Sequence, residues 1–370
     1  MDADLLYQIA LTLVPQIGPV QAKNLLTHFD TARAIFQAPG QLLKKIEGIG
    51  DSRASAIKSF RDFTIAEKEM AFIEQFNIRP LFITHPDYPQ RLLHCYDSPI
   101  LLYFKGKADL NAAKVIAVIG TRTHTEYGRQ ITEKLIAELT DLKVLVISGL
   151  AHGIDAIAHR AALQNGLPTV GVLAHGLSQV YPSQHTGLAR EIVKEGGGLL
   201  TEFMSPAIPD RHQFPARNRI VAGMSDATIV VETGVKGGSM ITAELANGYN
   251  RDVFAFPGKT TDPKSSGCNY LILNHKASLL TDAAVLRERM NWEDQTARSG
   301  RREARQKQIF VELSKEERLL VDLLREKESM HIDEINLKSG LSNSTVAAAI
   351  LNMELQNIIF ARPGKVYSLQ

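Results

Sequence analysis

Cysteine is scarce in this sequence. Its 370 residues contain two, Cys95 and Cys268, too few and too far apart for a disulfide framework or a four-ligand zinc site, so a reducing cytoplasm is the expected compartment. An excess of one charge is also missing. Lys and Arg number 42 against 40 Asp and Glu, a formal net charge of +2. A polyanionic partner would have to be held by local patches, because the whole molecule offers almost no attracting field. No apolar run approaches the ~20 residues that span a bilayer. The start, Met1-Asp2-Ala3-Asp4, is acidic where a secretion signal would be basic. A soluble cytoplasmic chain without a membrane span is therefore expected. Hydrophobic residues make up 44%, which argues against pervasive disorder. The length suits about two to four domains at roughly 100–200 residues each.

Several chemical signatures are absent too. The first core turn lacks Gly-x-Gly-x-x-Gly, which counts against a nicotinamide or flavin enzyme, and the glycine-rich turn near residue 236 lacks Gly-Lys-[Ser/Thr]. No Ser-His-Asp or Cys-His order with its supporting motifs occurs. His152 and His159, seven apart, lack the acid/His geometry of a zinc site. We expect no cofactor, no metal and no catalytic residue.

Periodicity supplies the architecture. Residues 1 to about 75 carry apolar positions at helical spacing, such as Leu5, Ile9, Leu13 and then Ile65, Phe72, Ile73 and Phe76. From Pro80 the pattern changes to short apolar runs at 81–84, 100–104, 115–120, 144–149, 169–173, 199–203, 227–232 and 252–256. From residue 115 these alternate with amphipathic segments at 130–139, 154–163, 188–195 and 240–246. Near-continuous apolar strands alternating with helices predict an α/β, Rossmann-like doubly wound, mostly parallel sheet. A polar, basic stretch follows, with Arg298, Arg301, Arg302, Arg305 and Lys307, and reads as a linker whose arginines could also meet phosphates. Helices at 316–325, 332–339 and 343–355, then a hairpin tipped by Arg362-Pro363-Gly364-Lys365, describe a winged helix. The expected domains are 1–78, helical; 79–288, the α/β core; 289–312, the linker; and 313–370, the winged helix.

The turns carry the chemistry. Ile46-Glu47-Gly48-Ile49-Gly50-Asp51, with a weaker copy at Gln16-Ile17-Gly18-Pro19, resembles paired helix-hairpin-helix elements, which grip a phosphate backbone through glycine amides; a plain packing hairpin is the alternative. In the core, β-to-α turns are expected at Gly120-Thr121-Arg122, Ser148-Gly149-Leu150-Ala151, Ala174-His175-Gly176-Leu177-Ser178 and Gly234-Val235-Lys236-Gly237-Gly238-Ser239. Ligands of open α/β sheets gather at this carboxyl edge. Phe214-Pro215-Ala216-Arg217-Asn218-Arg219 adds two guanidinium forks suited to phosphate and an aromatic face suited to a base. The bland reading pairs Arg217 and Arg219 with Glu202 and Glu232. The expected helix after Lys236 is capped by Ser239 or a neighbour. Convergence of these turns on one edge predicts an anion site too long for one phosphate.

In this order the motifs resemble the DNA-processing protein A family (DprA, also called Smf). Gly120-Thr121-Arg122, Tyr127-Gly128, Gly153-Ile154-Asp155, Tyr181-Pro182, the Arg217-Asn218-Arg219 block and Phe256-Pro257-Gly258 carry the likeness. It departs at Thr121, where serine is usual, at Ser178, where aspartate is usual, and at Gly237, where serine is frequent. The resemblance implies a protein that binds single-stranded DNA during natural transformation, protects it and helps load the RecA recombinase. It also implies a homodimer with possible higher-order assembly on DNA. By motif, Arg122, Phe214, Arg217, Asn218, Arg219, Lys236 and Ser239 would line the DNA pocket, with Ser148, Gly149 and Gly238 from the same turns.

Two other functions remain open at this stage. Nucleoside-monophosphate phosphoribohydrolases resemble the core and use Pro-Gly-Gly-x-Gly-Thr-x-x-Glu; here the glycine pair persists and Glu244 would be the candidate carboxylate, but the full motif does not occur. An adaptor that keeps only an ancestral anion pocket is the third reading. The charge-poor helix at 343–355 argues for a protein-contact or auxiliary role of the winged helix.

Overall fold

The computed structural model describes residues 4–292, 313–327, 329–356, 358–362 and 365–369. The linker cations Arg298, Arg301, Arg302, Arg305 and Lys307, and the hairpin residues Pro363 and Gly364, lie outside them. The chain forms two compact units, Met1–Trp292 and Glu293–Gln370.

The first unit starts with six helices, α1 (Leu5–Leu13), α2 (Pro19–Leu26), α3 (Ala32–Gln37), α4 (Gly40–Lys44), α5 (Gly50–Ser59) and α6 (Thr64–Gln75). Gly48 and Gly50 adopt φ of 76° and 60°, which glycine tolerates and most residues do not, and so reverse the chain from α4 into α5. Arg53 of α5 clamps this turn to the other hairpin, donating to the carbonyls of Gly48 at 2.7 Å and Gln16 at 3.1 Å. Lys23 of α2 is turned into the unit, its ammonium on the Cys95 carbonyl at 2.8 Å and Ser98 Oγ at 3.1 Å. The helices are not a separate body. Ile9, Leu25 and Ile57 share one apolar cluster with Phe82, Leu101 and Tyr103 of the sheet, and the buried Glu69 carboxylate accepts from Ser205 N at 2.9 Å and Ser205 Oγ at 2.6 Å. The boundary expected at residue 78 is thus a change of secondary structure inside one compact unit.

The sheet has nine strands: β1 (Arg79–Phe82), β2 (Leu101–Gly106), β3 (Val115–Ile119), β4 (Leu145–Ser148), β5 (Thr169–Val172), β6 (Gly198–Thr201), β7 (Ala227–Val230), β8 (Asp252–Ala255) and β9 (Ser278–Leu279). Their order is β1-β2-β6-β5-β4-β3-β7-β8-β9. β1 and β2 pair antiparallel, as do β2 and β6, and the rest are parallel. Eight strands coincide with the apolar runs; β9, two exposed residues long, has no periodic signal. Between strands lie α7 (Gln90–Leu93), α8 (Glu126–Glu138), α9 (Ile154–Gln164), α10 (Thr186–Lys194), α11 (Gln213–Met224), α12 (Gly238–Gly248), α13 (Ser266–Leu273) and α14 (Ala283–Arg289). Alternation along β3 shows why both faces must be apolar. Val115, Ala117 and Ile119 pack with α11, α12 and α13, whereas Ile116 and Val118 pack with α8, α9 and α14. Because β3 has β4 on one side and β7 on the other, the winding reverses there and opens a crevice at their carboxyl ends.

The second unit contains α15 (Lys315–Glu326), α16 (Ile332–Ser339) and α17 (Asn343–Leu355), with β10 (Met330–His331), β11 (Ile359–Arg362) and β12 (Val366–Leu369) in the order β10-β12-β11. Ser314 and Glu317 cap α15 reciprocally. Leu320, Leu324, Ile335, Val346, Ile350, Met353 and Ile359 form its own core. This is a winged helix.

Candidate nucleic-acid interface

The crevice between β3 and β7 widens into a cleft of about 500 Å³. Thr121 and Arg122 line it from the turn after β3, Gly149 and Asp155 from the β4–α9 turn, Phe214, Arg217 and Asn218 from the first turns of α11, and Gly238 and Ser239 from the start of α12. Of the ten residues singled out by sequence, seven meet here: Arg122, Gly149, Phe214, Arg217, Asn218, Gly238 and Ser239.

Arg217 is buried, at 6% exposure. Its Nη1 donates to the Val172 carbonyl at 2.6 Å and its Nε to Asn218 Oδ1 at 3.0 Å. Arg122 is exposed, and the two guanidinium carbons lie 5.4 Å (Arg122) and 5.9 Å (Arg217) from the centre of the Phe214 ring. Gly149 makes room for this arrangement, since a Cβ there would fall 2.3 Å from Arg217 Nη1 and 2.5 Å from Asp155 Oδ2. Burial holds Arg217 below its usual pKa, opposed by Asp155 and reinforced by the like charge of Arg122. Burial also lifts the Asp155 carboxyl to about 6, against the pull of Arg217. The positive charge of the cleft is therefore under-compensated.

The start of α12 completes the site. The cap expected at Ser239 or a neighbour is the neighbouring Gly237, which has no side chain to bond the first amides. Among the described residues Ser239 Oγ is buried without a hydrogen-bond partner, in a residue 8% exposed. An orphaned hydroxyl beside the positive end of a helix is a binding group for an anion.

Three of the ten lie elsewhere. Ser148 is fully buried, and its Oγ donates to the Val118 carbonyl at 2.7 Å, stapling β4 to β3. Arg219, two positions beyond Arg217 on α11, points about 200° away around the helix and pairs with Glu202 and the Asp97 carbonyl. The bland reading thus fits Arg219 with Glu202. It fails for Glu232, which accepts from Thr125 N at 2.9 Å and from Thr125 Oγ1 and so holds the N-cap residue of α8. Lys236 stands exposed on its turn, outside the cleft lining. Glu244, the carboxylate the enzyme reading requires, also lies outside and pairs with Lys276 at 2.6 Å. Sequence reasoning missed Arg211, which lines the cleft from 208–212. Its only local signal is a cation three residues before Phe214.

A smaller recess adjoins the cleft, sharing Arg122, Phe214 and Arg217 and adding His152, His175 and Tyr181. The Tyr181 and Phe214 rings are 6.4 Å apart. His175 Nδ1 donates to the Gly176 carbonyl at 2.8 Å while its Nε2 accepts from Tyr181 N at 3.2 Å, and burial lowers its pKa. His159 bridges the Gly149 carbonyl and Thr169 Oγ1, each at 2.6 Å, and burial drives it to about 4. His159 and His175 are packing histidines. Among the described residues no cluster of three or more His, Cys, Asp or Glu is placed to hold a metal ion, and no helix is long and apolar enough to cross a membrane.

A tandem of helical hairpins, a doubly wound sheet with an arginine-lined cleft at its switch point, and a winged helix define the class of architecture. Residues 9–60 match a SAM-like helix-hairpin-helix tandem, residues 79–291 the family described as DNA recombination-mediator protein A, and residues 306–365 the DprA winged helix domain. The chain is 31% identical to Protein Smf of Synechocystis sp. over 98% of both chains, and 38% identical to DNA processing protein DprA of Streptococcus pneumoniae over 67% of this chain and 86% of that one. The solved S. pneumoniae DprA superposes with a TM-score of 0.60 at 32% identity, covering 75% of this chain and 95% of the other. The Helicobacter pylori protein, solved to show its single-stranded DNA binding mode, gives 0.52 at 30% identity over 58% and 95%. The chain belongs to the DNA recombination-mediator protein A family (DprA/Smf).

Proposed function

We propose that the chain binds single-stranded DNA in the β3–β7 cleft, protects strands taken up in natural transformation and helps load a RecA-type recombinase onto them. The observation that carries this reading is the charge of the cleft. Arg122, Arg211 and Arg217 face a single carboxyl group, Asp155, whose proton comes off only near pH 6. The amides at the start of α12 and the Ser239 hydroxyl supply neutral donors for phosphate oxygens. Phe214 and Tyr181 offer faces that stack on any base, which suits a partner of arbitrary sequence. The process is binding, without bond making. Arginines neutralise phosphates and release counterions, so affinity falls as salt rises. The loop-walled cleft admits an unpaired backbone and excludes a stiff duplex.

A homodimer accords with the exposed apolar side chains Tyr270, Leu273 and Leu279 beside β9, the last strand of the sheet. Higher-order assembly on DNA would follow from dimers placed side by side along one strand.

The test is a titration of single- and double-stranded oligonucleotides across a range of salt, with wild type and Arg122→Ala. Single strands should bind more tightly and with a steep salt slope, and the variant should lose roughly tenfold or more, the worth of a charge-assisted contact. Equal affinity of the variant, or a preference for duplex, would refute the assignment.

A further inference from the structure

Two turns at the α12 end of the cleft carry three lysines that the cleft itself does not use. Lys236 lies between β7 and α12, and Lys259 and Lys264 lie between β8 and α13. The turns are packed together. Gly267 N donates to the Thr233 carbonyl at 2.8 Å, and a Cβ on Gly234 would lie 3.6 Å from the Pro263 carbonyl oxygen. Thr233 and Gly234 in turn line the cleft. The second loop therefore abuts the rim, and its sequence Gly258-Lys259-Thr260-Thr261 has Lys259, Thr260 and Thr261 exposed.

Among the described residues none of the three ammonium groups is engaged in an ion pair or hydrogen bond. The contrast with Lys276 is direct, because that cation is neutralised by Glu244 at 2.6 Å. The one acid on the second loop, Asp262, is occupied locally: Oδ1 accepts from Lys264 N at 2.9 Å and Oδ2 from Ser265 Oγ at 3.2 Å. Three ammonium groups against the single Asp262 carboxylate leave these neighbouring turns with an excess of positive charge, which a polyanion relieves. A cleft of about 500 Å³ encloses a ligand of small-molecule size, so a longer strand must leave it over one of its rims. The rim beside α12 offers three further cations for it.

We propose that Lys236, Lys259 and Lys264 form a second phosphate-binding station, outside the cleft, that carries the backbone of a bound strand past the N-terminus of α12. The inference rests on the reading of the cleft as a polynucleotide site. It adds an exit direction and a minimum length of strand for full affinity. Lysines contact phosphates as mobile point charges, so the station should be indifferent to sequence.

The experiment compares fluorescein-labelled oligothymidylates of about 4 nucleotides, the lower limit of site size for single-strand binders, and about 20, beyond the upper one, on the full chain. The double variant Lys259→Gln/Lys264→Gln should weaken the long probe and reduce its log–log salt slope by about 1.4, roughly 0.7 per lysine removed. The short probe should keep its wild-type affinity within about twofold. Lys259→Arg/Lys264→Arg should restore the long-probe slope, which separates charge from folding. An unchanged slope for the long probe, or equal losses for both probes, would overturn the station while leaving the cleft intact. A wild-type chain that binds neither probe would overturn the cleft reading and the station with it.

Discussion

Arg217 and Arg219 stand two residues apart in one motif and meet different fates, which separates a ligand-facing cation from a structural one. Arg219 and Glu202 have side chains 12% and 14% exposed, and burial lifts the Glu202 carboxyl to about 7 against the pull of Arg219. Removing one member of a buried pair strands the other, at a typical cost of about 3 kcal/mol. Arg219→Ala should therefore lower the thermal midpoint markedly while leaving oligonucleotide affinity, measured well below that midpoint, within about threefold. A tenfold loss of affinity with unchanged stability would put Arg219 back in the site. Neither arginine's direction could be read from the motif, because a helix turns about 100° per residue and the packing of α11 sets which face is inward. Asp155 provides the pH test. Its folded pKa is raised, so it favours the folded state below the unfolded value and that contribution is lost as pH rises through about 6. Between pH 7 and 5 it gains a proton and a negative charge leaves the cleft. Single-strand affinity should rise by roughly threefold to tenfold more in wild type than in Asp155→Asn over that step; parallel pH profiles for the two proteins would exclude the effect.

Among the elements, the parallel strands were the most legible, since burial on both faces requires the continuous Val- and Ile-rich runs that mark β3, β4 and β7. The glycine-rich turns were legible as the lining of the cleft, because only small residues leave room at such a close approach of strands and helices. β9 was not, being two residues long and exposed. Nor was Arg211, which lies in an irregular segment with no period to place it. The start of α12 makes the sharpest prediction at this scale. Among the described residues Ser239 Oγ has no protein partner, and a buried hydroxyl left unsatisfied by the protein costs up to about 1–3 kcal/mol. Ser239→Ala should raise the thermal midpoint of the free protein and weaken single-strand binding, two changes of opposite sign. A variant that loses both stability and affinity would show that the hydroxyl has a structural partner.

For the whole molecule, the winged helix has its own core, and the exposed face of α17 presents Ser344, Ala347, Ala348, Leu351 and Leu355 without a cation. Such a face is a poor electrostatic match to a duplex. A chain ended at Trp292 should retain most of its single-strand affinity, as read by titration with the long oligothymidylate, and a loss beyond tenfold would make the second unit part of the DNA site. The domain order was readable from the change in apolar period near Pro80 and the polar stretch after Arg287. The union of the first two segments was not, because it depends on contacts such as Glu69 with Ser205 that span 136 residues.

That union limits how the protein can be taken apart. Phe82, Leu101 and Tyr103 are sealed by the helices that precede them, so a recombinant core begun at residue 79 would present a bare oily flank and should clump during purification. Calorimetry of residues 1–292 should accordingly show hairpins and sheet melting in a single heat-absorption peak.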